Sequence, residues 1–132
     1  MLNRRTLIGA VATGALLAAG TVAFATTTAA PYSQRAFDAA QSAGKPILLH
    51  VTAPWCPTCR AQKPILSVLE SQPKYKDMVA QDIDFDTSKD LLRRLHVTQQ
   101  STLIVYKGKT EVGRSTGDTD MMSIEALLDK AV

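Results

Sequence analysis

Two cysteines stand three residues apart in the stretch Ala53-Pro54-Trp55-Cys56-Pro57-Thr58-Cys59, and the sequence contains no others. The stretch follows an apolar run, Pro46 to Thr52, and opens a segment of helical spacing, Arg60 to Leu69. A strand that delivers C-x-x-C to the first turn of a helix places sulfur where backbone N–H groups lack partners inside the helix. The peptide dipoles leave partial positive charge there. A thiolate in that position is stabilised, and cysteines so placed titrate at about 3.5–7.5 instead of about 8.5. Spacing i, i+3 puts the second sulfur on the same face, within reach of a small disulfide. Cys56 is then expected to be an exposed nucleophile and Cys59 a shielded resolving thiol. A loop this short stabilises a fold little compared with a long one. The pair therefore points to exchange chemistry, not to stapling.

Trp-Cys-x-x-Cys with Pro64 five residues after the second cysteine resembles the active-site motif of the thioredoxin family. Ala43 to Leu49, A-G-K-P-I-L-L, is similar to the entry to that family's central strand, and the resemblance runs from Tyr32 to Val132. It implies a thioredoxin-like three-layer α/β sandwich with a central mixed sheet of about four to five strands. It also implies a thiol–disulfide oxidoreductase that exchanges Cys56–Cys59 with protein thiols and disulfides, works with a redox partner protein, and is a monomer without a cofactor.

The first 25 residues read as an export signal: a basic start at Asn3-Arg4-Arg5, an apolar run from Leu7, and Ala23-Phe24-Ala25 as a small-x-small cleavage pattern. Arg4-Arg5-Thr6-Leu7-Ile8 resembles a twin-arginine signal. The expected organisation is signal 1–25, a short flexible segment 26–32 and the domain 33–132, with a periplasmic destination and contact with the membrane only during export. Cleavage also alters the charge. Arg4 and Arg5 leave with the signal, taking the 15 cations to 13 against 12 acids. The basicity that would suggest nucleic-acid binding largely disappears.

Periodicity then supplies the elements. Ser33 to Ala43 reads as a helix stopped by Gly44, Pro46 to Thr52 as a buried strand, and Pro57 onward as a helix begun by proline, kinked at Pro64 and ended near Pro73. Met78 to Asp86 alternates apolar residues with Asp82, Asp84 and Asp86. A calcium loop would need glycine sixth and glutamate twelfth; Thr87 and Arg93 stand there, so these acids read as a solvated strand end. Thr87 or Ser88 caps a short helix to His96, which is read as a cation at that helix's end. Thr102–Tyr106 and Glu111–Ser115 form a hairpin, and Asp118 or Asp120 caps the last helix.

Against the family pattern, three positions differ. His50 stands six residues before Cys56, where the family has a buried aspartate; it reads either as a core histidine with a satisfied hydrogen bond or as the group that handles the Cys59 proton. Ser101 occupies the place of the family's cis-proline, so a trans peptide is expected, with the hydroxyl near the sulfurs. Pro57-Thr58 replaces Gly-Pro and leaves the Thr58 N–H free to join that of Cys59 at the Cys56 sulfur. By resemblance, Trp55, Pro57, Thr58 and His50 support the site, with Trp55 a partly exposed contact platform. Gln100, Ser101, Thr102 and Gly117 line the substrate groove. The competing reading is a metal-binding or copper-delivery module using Cys56, Cys59 and His50, or His96, as ligands.

Overall fold

The structure is a computed structural model that describes residues 29–132. The expected signal and Thr26–Thr28 lie outside the described residues. In chain order the elements are β1 (Ala30–Pro31), α1 (Gln34–Ser42), β2 (Pro46–Thr52), α2 (Pro57–Glu70), a 3-10 turn (Pro73–Tyr75), β3 (Val79–Asp84), α3 (Lys89–Arg94), β4 (Thr102–Lys107), β5 (Thr110–Thr116) and α4 (Met121–Asp129).

The strands make one five-stranded mixed sheet in the order β1-β3-β2-β4-β5. β2 runs parallel to β3 and antiparallel to β4, and β4 and β5 form the expected hairpin. β1 is the element that periodicity missed, being two residues long. It pairs with Gln81 and Asp82 of β3, and the Tyr32 N–H donates to the Asp82 carbonyl. Ala30 and Pro31 thus belong to the sheet, although they lie inside the stretch 26–32 read as a flexible segment.

Helices cover both faces because strand residues point alternately up and down. Leu48 of β2 packs on one face with Leu66 and Leu69 of α2 and Ile124 and Leu128 of α4. Ile47, Leu49 and Val51 pack on the other with Phe37 of α1 and Leu92 of α3. Fully burying each such side chain contributes roughly 1.5–3 kcal/mol. The buried residues of β2 are thus apolar on both faces, with one exception. His50, on the Leu48 side, is 2% exposed and points toward α2.

Helix ends follow the expected chemistry with two changes. Ser33 caps α1, and the Asp120 side chain accepts from the Ser123 N–H at the start of α4. α3 has no side-chain cap from Ser88; the Asp84 carboxylate instead accepts from the N–H groups of Asp86 and Thr87 and from the Thr87 hydroxyl. Those bonds hold the Asp84 carboxyl below its usual range, the Thr87 N–H contributing most. At the other end of α3, Arg114 neutralises the orphan carbonyls, donating to Leu95 at 3.1 Å and to His96 at 3.3 Å. That is the task expected of the His96 side chain.

Candidate active site

Cys56 is the N-cap of α2, in extended conformation, with Pro57 in the helix's first turn. Its sulfur is bonded to that of Cys59, with the Cα atoms 5.3 Å apart. The Cys59 N–H points at the Cys56 sulfur, 3.1 Å away, which is the helix N-terminal donor expected from sequence. The Thr58 N–H makes no such bond among the hydrogen bonds of the described residues. One donor, not two, faces the nucleophile.

Both cysteines are fully buried, which corrects the expectation of an exposed Cys56. The pair packs with Ala53, and Phe85 leans against the cluster. Trp55 takes the exposed position instead, 53% accessible, as the platform reading requires. Its indole N–H donates to Asp86 at 2.8 Å and its ring meets Phe85 edge-on, so the side chain is held in place. Pro57 is exposed and Thr58 half-buried beside it.

The segment before β4 crosses behind the sulfurs. Ser101 has φ +58 and a trans peptide on its N-terminal side; among the described residues it shares positive φ with one other non-glycine, His96. Its N–H donates to the Val51 carbonyl at 2.7 Å, and Cys59 Sγ lies 3.8 Å from that oxygen. The Ser101 hydroxyl turns to the Gln100 carbonyl at 2.6 Å, away from the role expected for it at the sulfurs. Gly117, at φ +74, donates its N–H to the Ser101 carbonyl at 3.0 Å. Of the expected groove residues, Gln100 is half-buried and Gly117 exposed. Thr102 is buried, its hydroxyl shared with Gln99 and Thr116.

His50 has partners that its sequence neighbours do not announce. Its Nε2 lies 3.0 Å from Gln62 Oε1, and its Nδ1 lies 3.4 Å from Asp82 Oδ1. Gln62, fully buried one turn after Cys59, also donates to the carbonyls of Ser101 and Asp118. It ties together β2, the Ser101 segment and the approach to α4. Asp82 is no solvated strand-end acid: its side chain is 25% exposed, and the parallel register puts it opposite His50. The alternation of β3 could have revealed that face, but register is a tertiary fact. Glu70, also unforeseen, is 7% exposed, and burial followed by the Asp82 charge pushes its carboxyl up to about 7.

The metal-ligand reading finds no donor set. Cys56 and Cys59 are bonded to each other, both nitrogens of His50 face other partners, and among the described residues no three His, Cys, Asp or Glu side chains converge.

A family model described as thioredoxin matches residues 28–130. The thioredoxin of Mycobacterium tuberculosis is 30% identical over 76 residues, covering 58% of this chain and 65% of its own length. Thioredoxin-2 of Saccharomyces cerevisiae is 32% identical over 82 residues, covering 61% and 77%. The chain spans just under two thirds of the mycobacterial thioredoxin and 16% of the bifunctional thioredoxin reductase/thioredoxin of Mycobacterium leprae. The crystal structure of Trxlp from Edwardsiella tarda superposes with a TM-score of 0.74 at 42% identity, covering 76% of this chain and 98% of that one. Motif, sheet order and family model agree: the chain belongs to the thioredoxin family.

Proposed function

We propose that this protein is an exported, periplasmic thiol–disulfide oxidoreductase acting on protein disulfides. The observation that carries the reading is the Cys56–Cys59 pair at the N-terminus of α2, with the Cys59 N–H directed at the Cys56 sulfur. A hydrogen bond of that kind favours the charged form of sulfur, which is the attacking species.

In the reducing direction, the Cys56 thiolate attacks one sulfur of a partner disulfide. A Cys56–partner disulfide forms, and the second partner sulfur leaves as a thiolate that takes a proton from solvent. Cys59 then gives up its thiol proton and attacks Cys56 Sγ. The Cys56–Cys59 bond forms and the partner leaves as its second thiol. Two electrons have passed to the partner. The oxidising direction is the reverse, and the potential of the partner decides between them.

Export is supported by Arg4-Arg5, the apolar run after Thr6 and the Ala23-Phe24-Ala25 pattern. The mature chain then begins near Thr26. Insulin reduction by the purified mature protein in excess dithiothreitol tests the activity. Wild type is expected to accelerate precipitation of the insulin chains, and Cys56→Ser to return the rate to background. A wild-type rate equal to background overturns the proposal.

A further inference from the structure

Between α2 and the β2–β3 strands lies a cavity of about 300 Å³. Leu48, Leu66 and Ala80 give it an apolar lining, and His50, Glu70 and Asp82 supply its polar wall.

Gln62 fixes how the imidazole in that wall is protonated. Its amide has two N–H bonds, and two carbonyls lie at its nitrogen, Ser101 at 3.1 Å and Asp118 at 2.9 Å. Carbonyls only accept, so the amide nitrogen faces them and Oε1 faces His50. Oε1 also only accepts. His50 Nε2, 3.0 Å away, therefore carries a hydrogen.

The other nitrogen, Nδ1, faces Asp82 Oδ1 at 3.4 Å, and that buried oxygen has no hydrogen-bond partner. A bare Nδ1 would set a lone pair against a carboxylate oxygen shielded from water, leaving two acceptors unsatisfied. A buried polar group left unsatisfied bears its full desolvation cost. A proton on Nδ1 replaces that repulsion with attraction to the Asp82 carboxylate across 3.4 Å.

We propose that Gln62, one turn after Cys59, is a positioning residue of the redox centre: it holds His50 as an Nε2 donor, so that Nδ1 keeps a proton facing Asp82 on the sheet face that α2 covers. The inference rests on the dithiol–disulfide reading for its purpose. With the proton on Nδ1, facing the Asp82 carboxylate, the pair carries no net charge. Negative charge created on sulfur by reduction then meets no net anion from this side of the sheet. The other charged groups lining the cavity are Glu70 and Lys63, both from α2; β4 presents Leu103 opposite His50. Glu70, whose carboxyl is pushed up to about 7, gives the wall a second group that favours a bound proton. The cavity connects both to solvent.

Imidazole 15N NMR on the oxidised protein tests this without any turnover, so its outcome is independent of the exchange activity. At pH 7 the wild type is expected to show a protonated Nε2 and an Nδ1 signal displaced from the bare-nitrogen range. Asp82→Asn is expected to return Nδ1 to that range with Nε2 still protonated. Gln62→Met is expected to lose the fixed Nε2 hydrogen, giving a mixture of tautomers. A wild-type spectrum with bare Nδ1, or with bare Nε2, overturns the proposal even if neither variant folds. So does a folded Gln62→Met with the wild-type spectrum.

Discussion

Ser101 and Cys59 meet at one atom: the Ser101 N–H donates to the Val51 carbonyl at 2.7 Å, and Cys59 Sγ lies 3.8 Å from the same oxygen. The left-handed backbone at Ser101, φ +58, aims the N–H there. Such a conformation costs an L-residue roughly 1–2 kcal/mol, which the surrounding bonds must offset. Gly117 and Gln62, both donating to the Ser101 carbonyl, are those bonds.

Restoring the family's proline is therefore expected to harm this chain. Proline locks φ near −65° and has no N–H. Ser101→Pro loses the bond to Val51 and cannot adopt the native backbone, at about 2–3 kcal/mol of stability. Ser101→Gly fits the same backbone and is expected to remain within about 1 kcal/mol of wild type. Urea unfolding of the two variants checks the contrast. Equal midpoints would show that the backbone at 101 carries no constraint.

Glu70 sets a pH dependence of opposite sign to that of a paired carboxylate. Its carboxyl is pushed from 4.5 up to about 7, by burial first and by Asp82 second. Between those values the folded state binds more protons than the unfolded chain, so stability falls as pH rises from about 4.5 to about 7 and stays low above. Allowing for screening through the cavity mouth, the loss is on the order of 1–2 kcal/mol. Glu70→Gln is expected to remove this component and to exceed wild type in stability at pH 8. Denaturant midpoints at pH 5 and pH 8 check both signs.

Gly113 is the close approach between β5 and α4. A Cβ there would stand 2.7 Å from Leu127 Cδ1 and 3.3 Å from Lys130 Cδ. Leu127 is 6% exposed and has little room to retreat. Gly113→Ala is expected to cost about 1–3 kcal/mol, the usual range for overpacking. Thermal unfolding of this variant against wild type measures it.

Much of the fold was legible because its signals are local. Alternation and helical spacing announced β2, α2 and the hairpin, and C-x-x-C at a strand–helix junction announced the disulfide. Two-residue β1 has no period to read. The supports of the site were hidden for another reason: they depend on register. His50 meets Asp82 because β2 and β3 pair in parallel at that position, and it meets Gln62 because α2 crosses the same sheet face. Neither pairing leaves a mark in the linear spacing. Burial of Cys56 was also unreadable, since it comes from packing against Ala53 and Phe85 after the turn has closed.

The roles of the two sulfurs carry the whole account, and mixed-disulfide trapping examines them most directly. Cys59→Ser and Cys56→Ser, each produced in the exported form, are incubated with disulfide-bearing protein and resolved by non-reducing electrophoresis. Cys59→Ser is expected to accumulate covalent partner complexes that dithiothreitol releases, because its nucleophile remains and its resolver is gone. Cys56→Ser is expected to trap none. Equal trapping by both variants, or by neither, would contradict the assignment of Cys56 as nucleophile and Cys59 as resolver.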